Sequence, residues 1–171
     1  MGEAEGHDPI PVLTVRNLQV DFPGDKQVFH AVNGLSFEIR AGEVLGLIGE
    51  SGAGKSITGS AIIRLLHAPG QILGGEIFLK EQRIDALPDK AFAALRGKKI
   101  GTVFQDPLSS LNPLYTIGRQ LIETIRRHFP LSQSAARERA IELLNEVGIL
   151  DAERRLDAYP HEFSGGMRQR V

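Results

Sequence analysis

The sequence predicts an α/β fold in which a glycine-rich loop joins a buried strand to a helix. Glu43 to Ile48 is a short, mostly apolar run that favours a buried strand. After Gly54, helical spacing predicts one apolar helix face formed by Ile57, Ala61, Ile62 and Leu65. Pro11 to Phe22 is rich in Val and Leu, and Leu35 to Arg40 alternates apolar with polar residues, so both predict strands. A buried strand that leads through a glycine-rich loop into the N-terminus of a helix is a strand–loop–helix unit of α/β proteins.

The loop has the composition of a phosphate-binding site, because it matches G-x-x-x-x-G-K-[ST]. Residues without a Cβ let the backbone approach an anion, and successive amides then form a nest at the positive end of the following helix. Lys55 is expected to contact the β- and γ-phosphates of a nucleotide, and the Ser56 hydroxyl to bind Mg²⁺. A turn without a ligand does not require a Lys-Ser pair there. The predicted binding residues are Gly49, Glu50, Ser51, Gly52, Ala53, Gly54, Lys55, Ser56 and Ile57.

Composition limits the classes of protein that remain. The 171 residues are enough for one domain, and a net charge of −1 without a dense basic block argues against nucleic acid as the main partner. The sequence has no cysteine, which excludes disulfides and thiolate metal sites. No apolar run approaches the roughly 18 residues of a membrane span. Met1 to Pro9 is polar and acidic and is not a secretory signal, so we expect a soluble cytoplasmic protein with a disordered tail.

Further short elements are expected after the loop. Pro69-Gly70 is predicted to stop the helix that begins near Gly54. Gly74 to Lys80 predicts a strand, and Pro88 to Leu95 predicts a short helix with Pro near its first turn. Lys99 to Phe104 predicts an apolar strand, which leads into a loop over 106–113.

From about residue 114 the pattern becomes helical. Thr116 to Phe129 carries apolar residues at four-residue spacing, and Ser132 is suited to cap the next helix. Gly148 followed by Ile149 predicts the end of that helix, and a short helix is expected after Leu150. The predicted core face of the second helix consists of Ala136, Ala140, Leu143, Leu144 and Val147.

A second glycine-rich segment lies within Tyr159 to Arg170. There Ser164, Gly165 and Gly166 open a predicted helix, which makes them a second anion-binding candidate by the same amide and dipole argument. Taken alone, a Gly-Gly helix entry is more often only flexible backbone.

Three motifs together resemble one family. Gly49 to Ser56, Phe104 to Pro113 and Tyr159 to Arg170 occur in the order and spacing of ABC transporter ATPase subunits. The last two look most like the branch that serves dipeptide and oligopeptide transporters, and the resemblance covers nearly the whole chain after the tail. It implies an α/β, ABC-type P-loop NTPase domain with an N-terminal antiparallel β part and a helical subdomain, incomplete at its C-terminus. The implied division is a disordered tail over 1–10, an ATP-binding core over 11–113, a helical subdomain over 114–163, and the signature motif with the start of its helix over 164–171.

The resemblance also implies roles for individual residues. The loop ending at Ser56 corresponds to the Walker A motif, and Gln105 to the Q-loop glutamine that contacts Mg²⁺ and the attacking water. Gln105 is therefore a metal and cofactor-binding candidate, and with Lys55 a catalytic one. Ser164, Gly165 and Gly166 match the signature motif, which in the family contacts the γ-phosphate of ATP held by a second subunit. The two subunits then close head to tail over two ATP molecules.

Two other features of the family fall on identifiable segments. Asp106 to Phe129 lies where the family docks its transmembrane partner, and either Phe22 or Phe29 is a candidate for stacking on adenine. In the family, an apolar strand after the signature helix carries a metal-organising Asp and a general-base Glu. The sequence to Val171 contains no such strand, so the 171-residue chain alone is expected to hydrolyse ATP poorly.

The function that the resemblance implies is an ATP-binding subunit that powers peptide import by ATP hydrolysis, with ATP and Mg²⁺ bound. The implied partners are integral membrane permease subunits, a second identical or different ATPase subunit and, indirectly, an extracytoplasmic solute-binding protein. The implied location is peripheral, on the cytoplasmic face of the inner or plasma membrane. Nucleic acid is not an expected partner.

Three alternatives remain open on the sequence. A soluble ABC protein of DNA repair or translation shares the motifs but needs basic patches or long coiled-coil insertions, which are not seen here. A small-molecule kinase or GTPase leaves the second glycine-rich segment unexplained. A truncated domain that binds ATP without hydrolysis, or binds nothing, competes with the first hypothesis for the 171-residue chain itself.

Overall fold

The computed structural model describes residues 10–24, 27–104 and 110–171. The chain divides into two compact units, Met1–Arg96 and Gly97–Val171. The first is built around a sheet and the second around helices, and both kinds of element are present as the α/β prediction requires.

The first unit contains a four-stranded antiparallel sheet in the order β2-β1-β3-β4. Its strands are β1 (Leu13–Pro23), β2 (Val28–Ile39), β3 (Gln71–Leu79) and β4 (Gln82–Arg83). The strands predicted around 11–22 and 74–80 are therefore confirmed, and the one predicted over 35–40 is the second half of the longer β2. Because β1 is paired on both edges, its Val15, Leu18 and Val20 are among the most buried side chains of the unit.

Two helices accompany the sheet: α1 (Lys55–Ile62) and α2 (Asp89–Ala93). The predicted helix after the loop is confirmed, but it ends at Ile62, well before Pro69-Gly70. Its buried residues are Thr58 and Ala61, so the predicted apolar face is only partly right, and Leu65 lies beyond the helix.

Glu43 to Ile48 does not form the predicted strand. No described segment pairs with it, and Val44 and Ile48 are 95% and 98% exposed. Leu45 and Leu47 between them are 38% and 41% exposed, so the degree of exposure alternates as it does along an extended chain. A strand is held by hydrogen bonds to a neighbour, and apolar composition alone cannot supply that neighbour.

In the second unit, the strand predicted over 99–104 is also wrong. Only Ile100 makes an isolated bridge, and Val103 is 91% exposed. The predicted loop over 106–113 lies mostly outside the described residues.

The helices of the second unit follow the predicted order. They are α3 (Ile117–His128), α4 (Gln133–Glu146), α5 (Ala152–Arg155), a 3-10 turn (Pro160–Glu162) and α6 (Gly165–Arg170). The Ser132 hydroxyl accepts a hydrogen bond from the Ala135 amide at 3.2 Å, which confirms the predicted N-cap. At the other end of α4, Gly148 has φ +70 and its amide bonds to the Asn145 carbonyl, so the predicted glycine cap is also confirmed.

The core of this unit joins α3 and α4 to the segments that follow them. Its buried residues are Ile117, Ile125, Ala136, Ala140, Leu144, Ile149, Ala152, Leu156 and Phe163. Three of the five predicted core residues of α4 are among them, whereas Leu143 is half-buried and Val147 is exposed. None of the described helices is both long enough and apolar enough to cross a membrane.

Candidate functional site

The glycine-rich loop between Gly49 and α1 has a backbone that specific glycines make possible. Gly52 and Gly54 have φ values of +84 and +82, in the left-handed region that side chains disfavour. A Cβ on Gly54 would also overlap the Ala31 carbonyl oxygen and lie 3.3 Å from Val32 Cγ2. Gly54 therefore brings the start of α1 against β2 at a distance that no other residue type permits.

Lys55 is bound to the beginning of its own loop. Its Nζ donates to the Gly49 carbonyl at 2.7 Å and to the Glu50 carbonyl at 2.6 Å. An ammonium group has three donors, so two of them fix the position of the charge and a third remains for another acceptor. The geometry thus holds a full positive charge at the mouth of the loop.

The amides of the loop complete this positive site. The Ala53 amide bonds to the Glu50 carbonyl, whereas those of Gly54, Lys55, Ser56 and Ile57 donate to no described backbone group. They form the first turn of α1, where the helix dipole is positive. The exposed Ser56 side chain lies in the same turn. Together the loop offers converging donors, one ammonium and one hydroxyl, which is the chemistry that a polyphosphate with a hard divalent cation requires.

Thr58 is a supporting residue that the sequence reading missed. It is 2% exposed, and both its amide and its hydroxyl donate to the Gly54 carbonyl, at 2.8 and 3.0 Å. Two bonds to the residue that opens α1 fix the loop-to-helix junction. The sequence signal for this role is a polar residue on the buried side of the predicted helix, because a buried hydroxyl there needs a nearby hydrogen-bond acceptor.

The two aromatic candidates for stacking on adenine lie opposite each other on two adjacent strands. Phe22 of β1 and Phe29 of β2 are direct register partners, so their side chains leave the same face. Phe29 is 57% exposed, whereas Phe22 is half-buried. The Phe22 ring also lies against Gly70, where a Cβ would come within 2.7 Å of it. The two residues of the open choice are therefore neighbours on one face of the sheet.

The second glycine-rich segment opens α6. The Ser164 hydroxyl accepts a hydrogen bond from the Met167 amide at 3.2 Å and so caps the helix. Gly165 and Gly166 are exposed, and a Cβ on either would meet nothing within 4 Å. Phe163, immediately before them, is buried and anchors this turn in the core of the second unit. The segment therefore presents bare backbone at the surface from a fixed starting point.

Gln105, predicted to bind Mg²⁺ and to act in catalysis, lies outside the described residues, as does 106–109. In the 106–129 segment, the turn that precedes α3 is held to that helix by the Gln120 side chain. The Gln120 side chain accepts from the Asn112 amide at 2.8 Å and donates to the Asn112 and Tyr115 carbonyls, each at 3.0 Å. This tie was not foreseen, because it joins residues eight positions apart through an irregular turn. It leaves Leu114 78% exposed beside Tyr115, whose ring lies 3.9 Å from the Arg119 guanidinium carbon.

The comparisons with known proteins bear directly on these segments. A family model described as ABC transporter matches residues 32–171, which include both glycine-rich segments. The chain belongs to the ABC transporter family. Within that family, it is 44% identical to a probable peptide ABC transporter ATP-binding protein of Sinorhizobium fredii and 43% identical to the dipeptide transport ATP-binding protein DppD of Escherichia coli. The oligopeptide transport ATP-binding protein OppD of Bacillus subtilis is 44% identical.

These relatives are considerably longer than the ABC transporter chain described here. Each comparison covers 94% of this chain but only 48%, 49% and 45% of the respective relative. The chain therefore spans about half the length of the curated relatives it matches. Among solved structures, a dimeric ATP-binding cassette in a post-hydrolysis state with bound ADP and Pi has a TM-score of 0.78 at 26% identity, over 92% of this chain and 66% of that one. The predicted ABC-type P-loop fold is thereby confirmed.

Proposed function

We propose that this chain is the ATP-binding part of an ABC transporter subunit that powers peptide import by ATP hydrolysis. Relatives named as peptide, dipeptide and oligopeptide transport ATP-binding proteins support the peptide class. The observation that carries the proposal is local: the Lys55 ammonium is held by two carbonyls of its own loop, beside four amides without described backbone partners. This arrangement suits the triphosphate of a nucleotide.

The loop residues divide the binding of Mg·ATP among them. The amides of the first turn of α1 and the Lys55 ammonium take the β- and γ-phosphates, and the glycines keep side chains out of the way. The Ser56 hydroxyl and the Gln105 side-chain oxygen are the proposed ligands of Mg²⁺, a hard cation that prefers oxygen. When bound, that cation neutralises charge on the phosphate oxygens. The Phe22–Phe29 pair offers the aromatic surface on which adenine stacks.

Hydrolysis is proposed to need a second subunit. Ser164, Gly165 and Gly166 present backbone donors that suit the γ-phosphate of an ATP held by the partner's loop, in a head-to-tail dimer. Gln105 orients the attacking water, and Lys55 stabilises charge on the transferred phosphoryl group. Residues 1–171 alone are expected to hydrolyse ATP slowly, because the resemblance assigns the general-base Glu to a strand whose pattern they do not contain.

The proposed partners beyond the dimer are integral membrane permease subunits, which place the protein peripherally at the cytoplasmic face of the membrane. An extracytoplasmic solute-binding protein is an indirect partner. The described end of the 106–129 segment offers the exposed Leu114 and the Tyr115–Arg119 pair to a permease loop. An apolar side chain beside a cation stacked on an aromatic ring is a combination common at protein interfaces.

The experiment is calorimetric titration of the full-length protein with Mg·ATP, for wild type and Lys55→Ala. Loss of a charge-assisted contact to phosphate is expected to weaken binding by about 10- to 100-fold. Lys90→Ala is the matched control, since it removes the same charge from an exposed position of α2 and is expected to leave binding unchanged. Equal affinities of wild type and Lys55→Ala would contradict the proposed site.

Further observations distinguish the competing functions. Co-purification with an integral membrane subunit supports transport, whereas tight, salt-sensitive binding of nucleic acid would favour a soluble ABC protein. A specific phosphorylated small molecule would favour a kinase. Binding of Mg·ATP without hydrolysis by the full-length protein would leave only a nucleotide-binding module.

A further inference from the structure

Arg170, near the end of α6, connects two parts of the second unit. Its Nη1 donates to the Val147 and Gly148 carbonyls at 3.0 and 2.8 Å. Its Nε donates to the Gly166 carbonyl at 3.3 Å, one turn back along its own helix. One guanidinium therefore joins the C-terminal end of α4 to a glycine of the signature segment.

The end of α4 is shaped to receive this side chain. Carbonyls at the last turn of a helix lack intrahelical partners and lie at the negative end of its dipole, so a cation is favoured there. Gly148 has φ +70, and a Cβ on it would lie 3.1 Å from Arg170 Nη1. Glycine at this position thus serves two purposes: it ends α4, and it admits the guanidinium.

The described residues of α6, the helix that carries the signature glycines, include none that is fully buried. Phe163 fixes the entrance to α6 in the core, while Met167 and Val171 are only partly buried against it. A polar attachment at the far end of α6 therefore adds a restraint on its direction that apolar burial does not supply.

We propose that Arg170 is a positioning residue that sets the orientation of α6, and with it the direction in which Ser164, Gly165 and Gly166 present their donors. The proposal rests on the proposed function, in which these residues contact the γ-phosphate of a partner's ATP. Arg170 touches neither nucleotide nor metal in this role. It acts through the helix whose first turn does.

The test compares full-length wild type with Arg170→Ala, Arg170→Lys and Gly148→Ala. Arg170→Ala is expected to lower kcat for ATP hydrolysis by about 10- to 100-fold, as small misplacements of catalytic donors do. The Kd for Mg·ATP is expected to stay within about twofold of wild type, because the Lys55 loop is untouched. Amide exchange at Met167, Arg168 and Val171 is expected to accelerate, since these amides hold α6 together.

The other variants separate positioning from general stability. Lysine can reach the same carbonyls as a point charge but lacks the planar fork, so Arg170→Lys is expected to recover only part of kcat. The Cβ added by Gly148→Ala would crowd the Arg170 guanidinium. This variant is therefore expected to change kcat and the rate of amide exchange in α6 in the same direction as Arg170→Ala. Arg154→Ala removes an exposed arginine of equal charge from α5 and is expected to leave both unchanged.

The outcomes distinguish failure of this inference from failure of the proposed function. Wild-type kcat and wild-type α6 exchange in Arg170→Ala would overturn the inference while leaving ATP hydrolysis established. An equal loss of kcat in Arg154→Ala would also overturn it. Wild-type protein that neither binds nor hydrolyses ATP would overturn the proposed function, and with it the catalytic role of Arg170. If Arg170→Ala does not fold, Gly148→Ala and Arg170→Lys give the same readouts.

Discussion

Gly54 shows how much of the candidate site depends on a single backbone position. Replacing it with alanine adds a Cβ that overlaps the Ala31 carbonyl, at a φ of +82 that alanine disfavours by about 1–2 kcal/mol. Gly54→Ala is therefore expected to lower the free energy of unfolding by at least that amount. It is also expected to weaken Mg·ATP binding by about tenfold or more, because the amides of the following turn must shift.

Gly59→Ala is the control for this substitution. Gly59 lies within α1, has ordinary backbone angles, and has nothing within 4 Å of the added Cβ. It is expected to leave ATP binding unchanged and to raise stability by about 0.5–1 kcal/mol, since glycine weakens a helix interior. Urea unfolding and calorimetry measure both effects. Similar behaviour of the two alanine variants would contradict the account of Gly54.

At the level of elements, Asp85 ties the β3–β4 hairpin to the segment that follows it. Its carboxylate accepts from the Ile77 amide at 2.8 Å and from Arg83 Nη2 at 2.9 Å. Burial alone raises the pKa of Asp85, but the hydrogen bonds from Arg83 and from the Ile77 amide outweigh it and leave the pKa below its ordinary value. A carboxyl whose pKa is lowered by folding stabilises the protein above its unfolded pKa, near 3.9, and loses that contribution as pH falls through the folded pKa.

Asp85→Asn is accordingly expected to lower the free energy of unfolding by about 1–2 kcal/mol at pH 7. The difference from wild type is expected to shrink as pH falls below the unfolded pKa, near 3.9, and through the lower folded pKa, at which the wild-type carboxyl becomes protonated. Asp89→Asn is the control, because its fully exposed carboxylate lies 3.6 Å from Arg64 and contributes little. Urea unfolding at several pH values measures this, and a difference that does not change with pH would show that the charge of Asp85 is irrelevant.

The elements also show which structural signals are local enough to read from a sequence. The caps at Ser132 and Gly148 were predicted correctly, because a helix end depends on a few neighbouring residues. The strand over 43–48 was not, because a strand needs a partner that no local pattern reveals. The phosphate loop lies between the two cases, because its motif is local but the fit of Gly54 against Ala31 depends on residues that are distant in the sequence. The attachment of Arg170 to Gly148 in the second unit also joins distant residues, so it could not be predicted.

At the scale of the whole molecule, the extended apolar segment over 43–48 is a surface through which we expect the chain to associate with itself. Val44 and Ile48 are four residues apart and so lie on the same face of an extended chain, and both are almost completely exposed. Over residues 44–48 no backbone group bonds to a described backbone group, and an extended apolar segment of this kind pairs readily with another chain. We therefore expect the 171-residue chain, without nucleotide, to self-associate at micromolar concentration.

Val44→Lys is expected to weaken this self-association by about tenfold or more, because it removes an apolar side chain worth about 1.5–3 kcal/mol when buried and adds a charge that resists pairing. Sedimentation over a range of protein concentrations measures the effect. Leu150→Lys is the matched control: Leu150 is an exposed leucine of the second unit, and its replacement adds the same charge there. A wild-type chain that stays monomeric throughout, or equal effects of the two substitutions, would show that this segment is not the associating surface.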